Sequence, residues 1–152
     1  MSTQTQSKQN VKESNITETK VIEFPEGLPG FENLTKFIIL EEPDAKEFMH
    51  LQSVEEKDVS FLITDPYRFK ADYAPIINEA YFEKLGGGAD DEFVLYTIAC
   101  IRENVKDSTL NLAGPILIHT KNKKGIQVVT EDKAYSTKTK IADLVNLDDL
   151  GK

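Results

Sequence analysis

Residues 36–64, KFIILEEPDAKEFMHLQSVEEKDVSFLIT, contain the pattern that decides the fold. Three runs of aliphatic, aromatic and β-branched residues, 36–40, 48–53 and 59–64, have the length of β-strands, and charged or turn-forming residues separate them. This close spacing is typical of antiparallel β structure. Asp65-Pro66 ends the third run, because proline cannot donate a hydrogen bond to a strand ladder.

Toward the N-terminus, residues 20–24 alternate as a strand with one buried side would, with Ile22 and Phe24 on one face. A segment rich in glycine and proline follows over residues 25–31. Its Pro29-Gly30 pair favours a type II turn, in which glycine supplies the positive φ. The turn leaves Leu28 and Phe31 either buried in the core or exposed as anchors for a partner.

Toward the C-terminus, apolar residues at helical spacing predict a short helix over residues 75–85, which three glycines at 86–88 end. Further strands are predicted at 92–101, at 115–120 and at 126–130, and the last two are joined by a hairpin connection at 121–125. About seven closely spaced strands indicate a mainly β fold. We expect a small antiparallel β-barrel-like domain with one or two short helices.

Three regions are predicted along the chain. Residues 1–19 form a polar tail with too few aliphatic residues to fold, and we expect it to be disordered. Residues 20–136 form the barrel-like domain. Residues 137–152 form an acidic amphipathic segment, and we expect its helix to form only against a partner. The apolar residues of that helix are Ile141, Leu144, Val145 and Leu147.

The composition excludes several classes of protein. The 152 residues include 26 acidic and 18 basic side chains, which gives a formal net charge of −8. Nucleic-acid affinity comes largely from lysine and arginine, so this balance argues against direct nucleic-acid binding. The single cysteine rules out an intrachain disulfide. Neither a signal-peptide pattern nor an apolar run of membrane-spanning length occurs, so we expect a cytoplasmic protein without membrane contact.

No motif indicates catalysis, a cofactor or a metal. His50 and His119 lie in strand-like runs, outside any familiar zinc or hydrolase spacing, and are interpreted as partly exposed strand residues. Cys100 has apolar neighbours and is predicted to be buried and unreactive. A ligand-binding or hydrolytic barrel remains an alternative. A deep cavity with either histidine beside a carboxylate would support that alternative, and a filled barrel would argue against it.

Negative charge is concentrated in one part of the sequence. Residues 23–58 contain ten acidic residues and three lysines, a net charge of −7. Composition alone leaves a soluble surface and a docking surface equally open. The acids that would form a docking surface lie in two predicted turns: Glu41, Glu42 and Asp44, then Glu55, Glu56 and Asp58.

Four motifs in this order resemble the flagellar assembly factor FliW family. They are FPEGLPGFE at 24–32, LQS at 51–53, FLITDP at 61–66 and NLAGPILI at 111–118, and the resemblance extends from Val21 to Tyr135. It implies a small, barrel-like cytoplasmic regulator without catalytic activity or cofactor. Such proteins bind flagellin and, when free of flagellin, bind the carbon storage regulator CsrA, an RNA-binding translational repressor. Binding to CsrA relieves repression of flagellin mRNA.

Candidate partner contacts follow from the motifs and from the charge. We expect the six acids above to face a basic partner and to keep RNA away from it. The glycine-proline turn adds two candidates and the Asp-Pro turn adds an aromatic ring of the kind that dominates interfaces. The further candidates are Leu28, Phe31, Asp65, Tyr67, Asn111 and Pro115. A structural component of the flagellum is a second alternative, which should assemble on itself, whereas a regulator should be monomeric when free.

Overall fold

Nine strands form a single sheet that closes into a ring. The computed structural model describes residues 21–146, so the predicted tail at 1–19 and the end of the C-terminal segment lie outside the described residues. The strands are β1 Ile22–Glu23, β2 Lys36–Glu41, β3 Phe48–Ser53, β4 Ser60–Thr64, β5 Phe93–Cys100, β6 Thr109–Leu110, β7 Ile116–His119, β8 Lys124–Gln127 and β9 Thr139–Lys140.

The ring runs β4-β3-β2-β1-β8-β7-β5 and is closed by pairing between β4 and β5, while β6 and β9 extend it beyond β5. This arrangement confirms the prediction of a mainly β, barrel-like fold. One strand pair departs from the antiparallel expectation, because β1 and β8 are parallel and meet at Glu23 and Lys124. The other pairs are antiparallel.

The observed bounds of the elements agree best with the predicted ones where the sequence pattern is strongest. Strand β3 has the predicted bounds, whereas β8 begins at Lys124, two residues before the predicted start, and ends at Gln127. The single α-helix among the described residues, α1, spans Glu79–Lys84 and is shorter than predicted. It begins there because Asn78 is its N-cap, with the side-chain oxygen accepting a hydrogen bond from the Ala80 N–H at 2.9 Å.

Three apolar clusters form the core. The first fills the barrel interior with Ile22, Phe24, Leu28, Phe37, Leu51, Ile63, Ile116 and Ile118. The second lies around β6 and the C-terminal residues and includes Phe48, Phe69, Tyr73, Leu110, Leu112 and Ile141. The third lies beneath α1 and contains Leu85, Leu117, Ile126 and Val128. Side chains therefore occupy the barrel interior at the level of Phe37 and Leu51, both of which are fully buried.

The glycine-proline segment forms the predicted turn. The Phe31 N–H donates to the Leu28 carbonyl at 2.7 Å, and Gly30 has φ +86°, as the third position of a type II turn requires. The two apolar side chains of this turn have different environments. Leu28 is buried in the barrel, whereas Phe31 is 38% exposed and packs edge-on against Phe61.

The folded part continues past residue 136, where the sequence pattern predicts the end of the domain. Strand β9 pairs with β6, and Ile141 begins a 3-10 helix, Ile141–Asp143, with its side chain buried in the second cluster. The expectation that this segment orders only against a partner is wrong for residues 139–145, because Leu144 and Val145 also pack on this chain's own core. No helix within 21–146 is long and apolar enough to span a membrane.

Candidate functional site

A cleft of about 710 Å³ opens between β5 and the 3-10 helix Pro66–Arg68, and we call it the β5 cleft. Two predicted site residues, Asp65 and Tyr67, line it. Asp65 caps the 3-10 helix by accepting a hydrogen bond from the Tyr67 N–H at 2.9 Å. The remaining lining is Lys46, Met49, Arg68, Ile77, Phe82, Asp90, Phe93, Val94, Leu95, Tyr96 and Leu117.

Three tyrosine rings in tilted and edge-on contact, which we call the tyrosine stack, support one wall of this cleft. The ring of Tyr67 lies 5.8 Å from that of Tyr73, which lies 4.9 Å from the ring of Tyr135. The Tyr73 hydroxyl donates to the Leu112 carbonyl at 2.6 Å. Burial raises the pKa of Tyr73 well above its usual value and also raises the pKa of Tyr67, so both phenols resist ionisation more than an exposed tyrosine does. Tyr67 is 43% exposed and presents the outer ring of the stack.

The first predicted acidic turn lies beside the β5 cleft. A second cleft of about 320 Å³ is lined by Glu41 and Glu42 and shares Lys46 and Met49 with the first. Glu42 accepts a hydrogen bond from His50 at 2.7 Å, and this bond lowers the pKa of the Glu42 carboxyl. Asp44 is exposed in the same turn. The fold thus brings Glu41 and Glu42 close to Asp65 and Tyr67, and Asp44 lies beside them, with its N–H donating to the Glu42 carboxylate.

The second acidic turn lies at the opposite end of the barrel. The turn containing Glu55, Glu56 and Asp58 follows the C-terminal end of β3, whereas the first turn precedes its N-terminal end, and a six-residue strand spans roughly 17 Å. Glu55 accepts hydrogen bonds from the N–H groups of Thr35 and Lys36 at 2.8 and 3.1 Å. The acids between residues 41 and 58 therefore form two separate surfaces.

The Asn111–Pro115 loop is used internally. Asn111 accepts a hydrogen bond from the Gly114 N–H at 2.8 Å, and Gln127 donates to the Gly114 carbonyl at 2.9 Å. Pro115 is buried. The loop joins β6 to β7 and supports the tyrosine stack through the bond between Tyr73 and Leu112.

The two histidines have different environments. His119 is buried, which corrects the expectation of partial exposure. One ring nitrogen contacts the Gly87 carbonyl at 2.8 Å, and the other accepts a hydrogen bond from the Asn122 N–H at 3.2 Å. The loop of three glycines at 86–88, which we call the glycine loop, therefore covers the ring, and both ring nitrogens have hydrogen-bond partners within the fold. Cys100 is exposed, also contrary to expectation, because it lies on the opposite face of β5 from the buried neighbour Ala99.

Each histidine meets part of the criterion for a catalytic site. His119 lies 4.0 Å from the Glu92 carboxylate but is buried. His50 lies 2.7 Å from the Glu42 carboxylate and lines an apolar cleft of about 400 Å³. The Ser60 hydroxyl is 3.5 Å from its other ring nitrogen, at the outer limit of a hydrogen bond. Ser60 pairs with Gln52 in the regular antiparallel ladder between β4 and β3. The cleft beside His50 opens on the outer face of the barrel. We interpret this contact as a cross-strand surface interaction. No group of three or more metal-ligating side chains occurs within the described part of the chain.

A family model described as FliW protein matches residues 5–141. The chain belongs to the FliW family. This membership confirms the resemblance inferred from the four motifs, which include the glycine-proline turn and the Asp65-Pro66 wall of the β5 cleft.

Relatives named flagellar assembly factor FliW match most of the chain. The protein of Alkaliphilus metalliredigens is 41% identical over 127 residues, covering 83% of this chain and 78% of its own length. That of Caldicellulosiruptor bescii is 36% identical over 137 residues and covers 90% of each. That of Borreliella burgdorferi is 40% identical over 120 residues, covering 78% and 91%. A crystal structure of the flagellar assembly factor FliW matches with a TM-score of 0.77 at 27% identity, covering 82% of this chain and 86% of that one. The FliW assignment therefore rests on both sequence and fold.

Proposed function

We propose that this FliW protein is a cytoplasmic regulator that binds flagellin and, when free of flagellin, binds and antagonises the carbon storage regulator CsrA. Captured repressor no longer silences flagellin mRNA. Because export of flagellin frees the FliW protein to capture the repressor, flagellin translation resumes after export. The observation that carries the proposal is the family match over residues 5–141. The protein acts by binding partners, without catalysis or a cofactor.

The structure supports a binding function in two ways. Buried side chains such as Phe37 and Leu51 occupy the barrel interior, so the outer surface and its clefts are the places where a partner would bind. That surface carries acidic side chains at both ends of the barrel. A repressor that binds RNA must present a basic face. Opposite charge steers such partners together and disfavours the approach of RNA phosphates.

We assign the exposed candidates as partner contacts, and the candidates that are buried or bonded within the fold as supports. At one end of the barrel, Glu41, Asp65 and Tyr67 line the two adjoining clefts, and Asp44 is exposed in the turn beside them. At the other end, Phe31 and the 54–58 turn are exposed or partly exposed. Leu28, Asn111 and Pro115 hold the turns that present these surfaces.

A competition experiment tests the proposal. Purified chain is immobilised and offered flagellin and the repressor, singly and then together. Each should bind alone, and adding one should displace the other. Simultaneous binding without displacement would refute the exchange of partners, and failure of either to bind would refute that partner. Light scattering on the free chain separates a monomeric regulator from a structural component that assembles on itself.

A further inference from the structure

Strand β5 packs on apolar clusters with both faces and is half-buried between Phe93 and Tyr96. Val94 and Tyr96 pack on the barrel interior, while Phe93 and Leu95 pack on the cluster beneath α1. Side chains from both faces of a strand line the same cleft where that cleft runs along an edge of the strand. The four consecutive residues 93–96 all line the β5 cleft, which places the cleft along that edge.

The open edge is the one that faces β4. The opposite edge of residues 93–96 is paired with β7. On the β4 side, pairing consists of Ile63 with Ile98 and Thr64 with Thr97, and there it stops. Continuing this register would place Pro66 opposite Leu95. Proline has no N–H to donate, and the chain turns at this point into the 3-10 helix, so β4 leaves the edge of β5 open.

The alternation of hydrogen bonds shows which backbone groups face the cleft. The Thr120 N–H donates to the Glu92 carbonyl at 2.8 Å, so Glu92, Val94 and Tyr96 direct their backbone groups toward β7. Leu95 therefore directs its N–H and C=O into the cleft, and Phe93 directs its C=O there, since its N–H donates to Asp90. Among the backbone hydrogen bonds of residues 21–146 outside the strand ladders, none satisfies Leu95. Unpaired N–H and C=O groups along an open strand edge form a ready template for pairing with a second strand.

We infer that the β5 cleft binds an extended segment of a partner protein, which adds as a strand along residues 93–96 and pairs with the backbone of Leu95. The segment is apolar at its centre, because the apolar side chains of Met49, Ile77, Phe82 and Leu117 line the cleft along with residues 93–96. Its flanks are basic, since five carboxylates stand around the two ends of the edge, against two cations of the lining, Lys46 and Arg68. These carboxylates are Glu41, Asp44 and Asp65 near Tyr96, and Asp90 and Asp91 near Phe93.

The probe is a fluorescein-labelled peptide, KKVTVTVKK, titrated into the full chain and followed by fluorescence anisotropy. It should bind, and two control peptides should not. One is EEVTVTVEE, which keeps the strand-forming centre and reverses the flanking charge. The other carries N-methyl groups at alternate backbone positions, which remove the edge hydrogen bonds and keep the side chains. Equal binding of either control would overturn the inference. Neither flagellin nor the repressor is used, so the result is separate from that of the competition experiment.

Matched variants locate the site. The pair Glu41→Gln and Asp90→Asn should weaken binding of the basic peptide by roughly threefold to tenfold, because each removes an exposed charge beside the cleft. The pair Glu56→Gln and Asp58→Asn removes the same charge at the opposite end of the barrel and should leave binding unchanged. Equal effects of the two pairs would place the peptide elsewhere.

Amide exchange of Leu95, measured by NMR on the full chain, tests the backbone contact directly. The Leu95 amide should exchange rapidly in the free protein and at least about tenfold more slowly with the peptide bound. Slow exchange in the free chain would show that another segment of the same chain already pairs with the edge, and would overturn the inference.

Discussion

Gly125 lies where β8 crosses the ring of Phe24. A Cβ atom at this position would stand 2.6 Å from the Phe24 Cζ atom, inside the distance that real side chains tolerate. We expect Gly125→Ala to lower the free energy of unfolding by about 1–3 kcal/mol, because the buried ring must shift within a packed barrel. Urea denaturation checks this. In a Phe24→Leu background the alanine should cost less, and strictly additive effects would contradict the steric explanation.

Tyr73 connects the tyrosine stack to the β6–β7 loop. Tyr73→Phe leaves the Leu112 carbonyl without its donor and should lower the free energy of unfolding by about 1 kcal/mol at neutral pH. Urea denaturation of the two proteins at pH 7 measures this difference. An unchanged midpoint would show that water replaces the hydroxyl.

The same residue gives the protein a pH dependence. Burial, with a smaller contribution from Tyr67, raises the pKa of Tyr73, so the folded protein keeps the phenol proton where the unfolded chain loses it. Stability from this group is therefore intact below about pH 10 and falls as the pH rises further. Urea midpoints measured from pH 8 to pH 11 should decline less steeply in Tyr73→Phe. Parallel profiles for the two proteins would rule out Tyr73 as the source.

At the scale of elements, the 3-10 helix Ile141–Asp143 attaches the C-terminal residues to the second core cluster. Ile141 is fully buried, so Ile141→Ala should lower the free energy of unfolding by about 2–4 kcal/mol. Asp143→Ala alters an exposed residue of the same helix and serves as the control. Chemical denaturation measures the free energy of unfolding of both variants. If both lose equally little, the helix contributes little to the stability of the fold.

The sequence pattern predicts long elements better than short ones. Strand β3 was predicted with its observed bounds, because charged turns flank six residues of strand-forming character. Strands β6 and β9 have two residues each, too few to show any periodicity. The parallel contact between β1 and β8 depends on how the ring closes, which no local pattern records.

The candidate site was predictable in part. Asp65-Pro66 indicated the end of β4, and Tyr67 was recognised as an available aromatic residue. That this turn exposes an edge of β5 depends on the register between Thr64 and Thr97, which joins distant parts of the chain. The burial of His119 was missed for a similar reason, because its cover is the glycine loop thirty-two residues earlier in the sequence.

At the scale of the molecule, the acidic charge divides between two ends of the barrel, and the two surfaces can be tested separately. The pair Glu41→Gln and Asp44→Asn removes two acids from the turn beside the adjoining clefts. It should weaken antagonism of the repressor more than it weakens flagellin binding, because these acids are proposed to repel RNA phosphates from the repressor. Both effects should shrink at high salt. Release of the mRNA from the repressor, measured at fixed concentration and salt, is the readout.

The pair Glu56→Gln and Asp58→Asn is the comparison for the opposite surface. A loss of antagonism confined to this second pair would move the repressor's contact to the other end of the barrel. Undiminished release of the mRNA by both pairs would show that these acids do not exclude RNA electrostatically.

The parallel contact between Glu23 and Lys124 also constrains how the protein forms. It joins residues 101 positions apart, so the ring cannot close until most of the chain has been synthesised. Contacts of such long range carry a large entropy cost before they stabilise the chain, and β topologies dominated by them fold on the scale of milliseconds to seconds. Before closure, β1 and β8 expose unpaired edges that invite association with other chains. A newly made FliW chain would therefore pass through an aggregation-prone interval, and the concentration of folded protein would lag behind its synthesis.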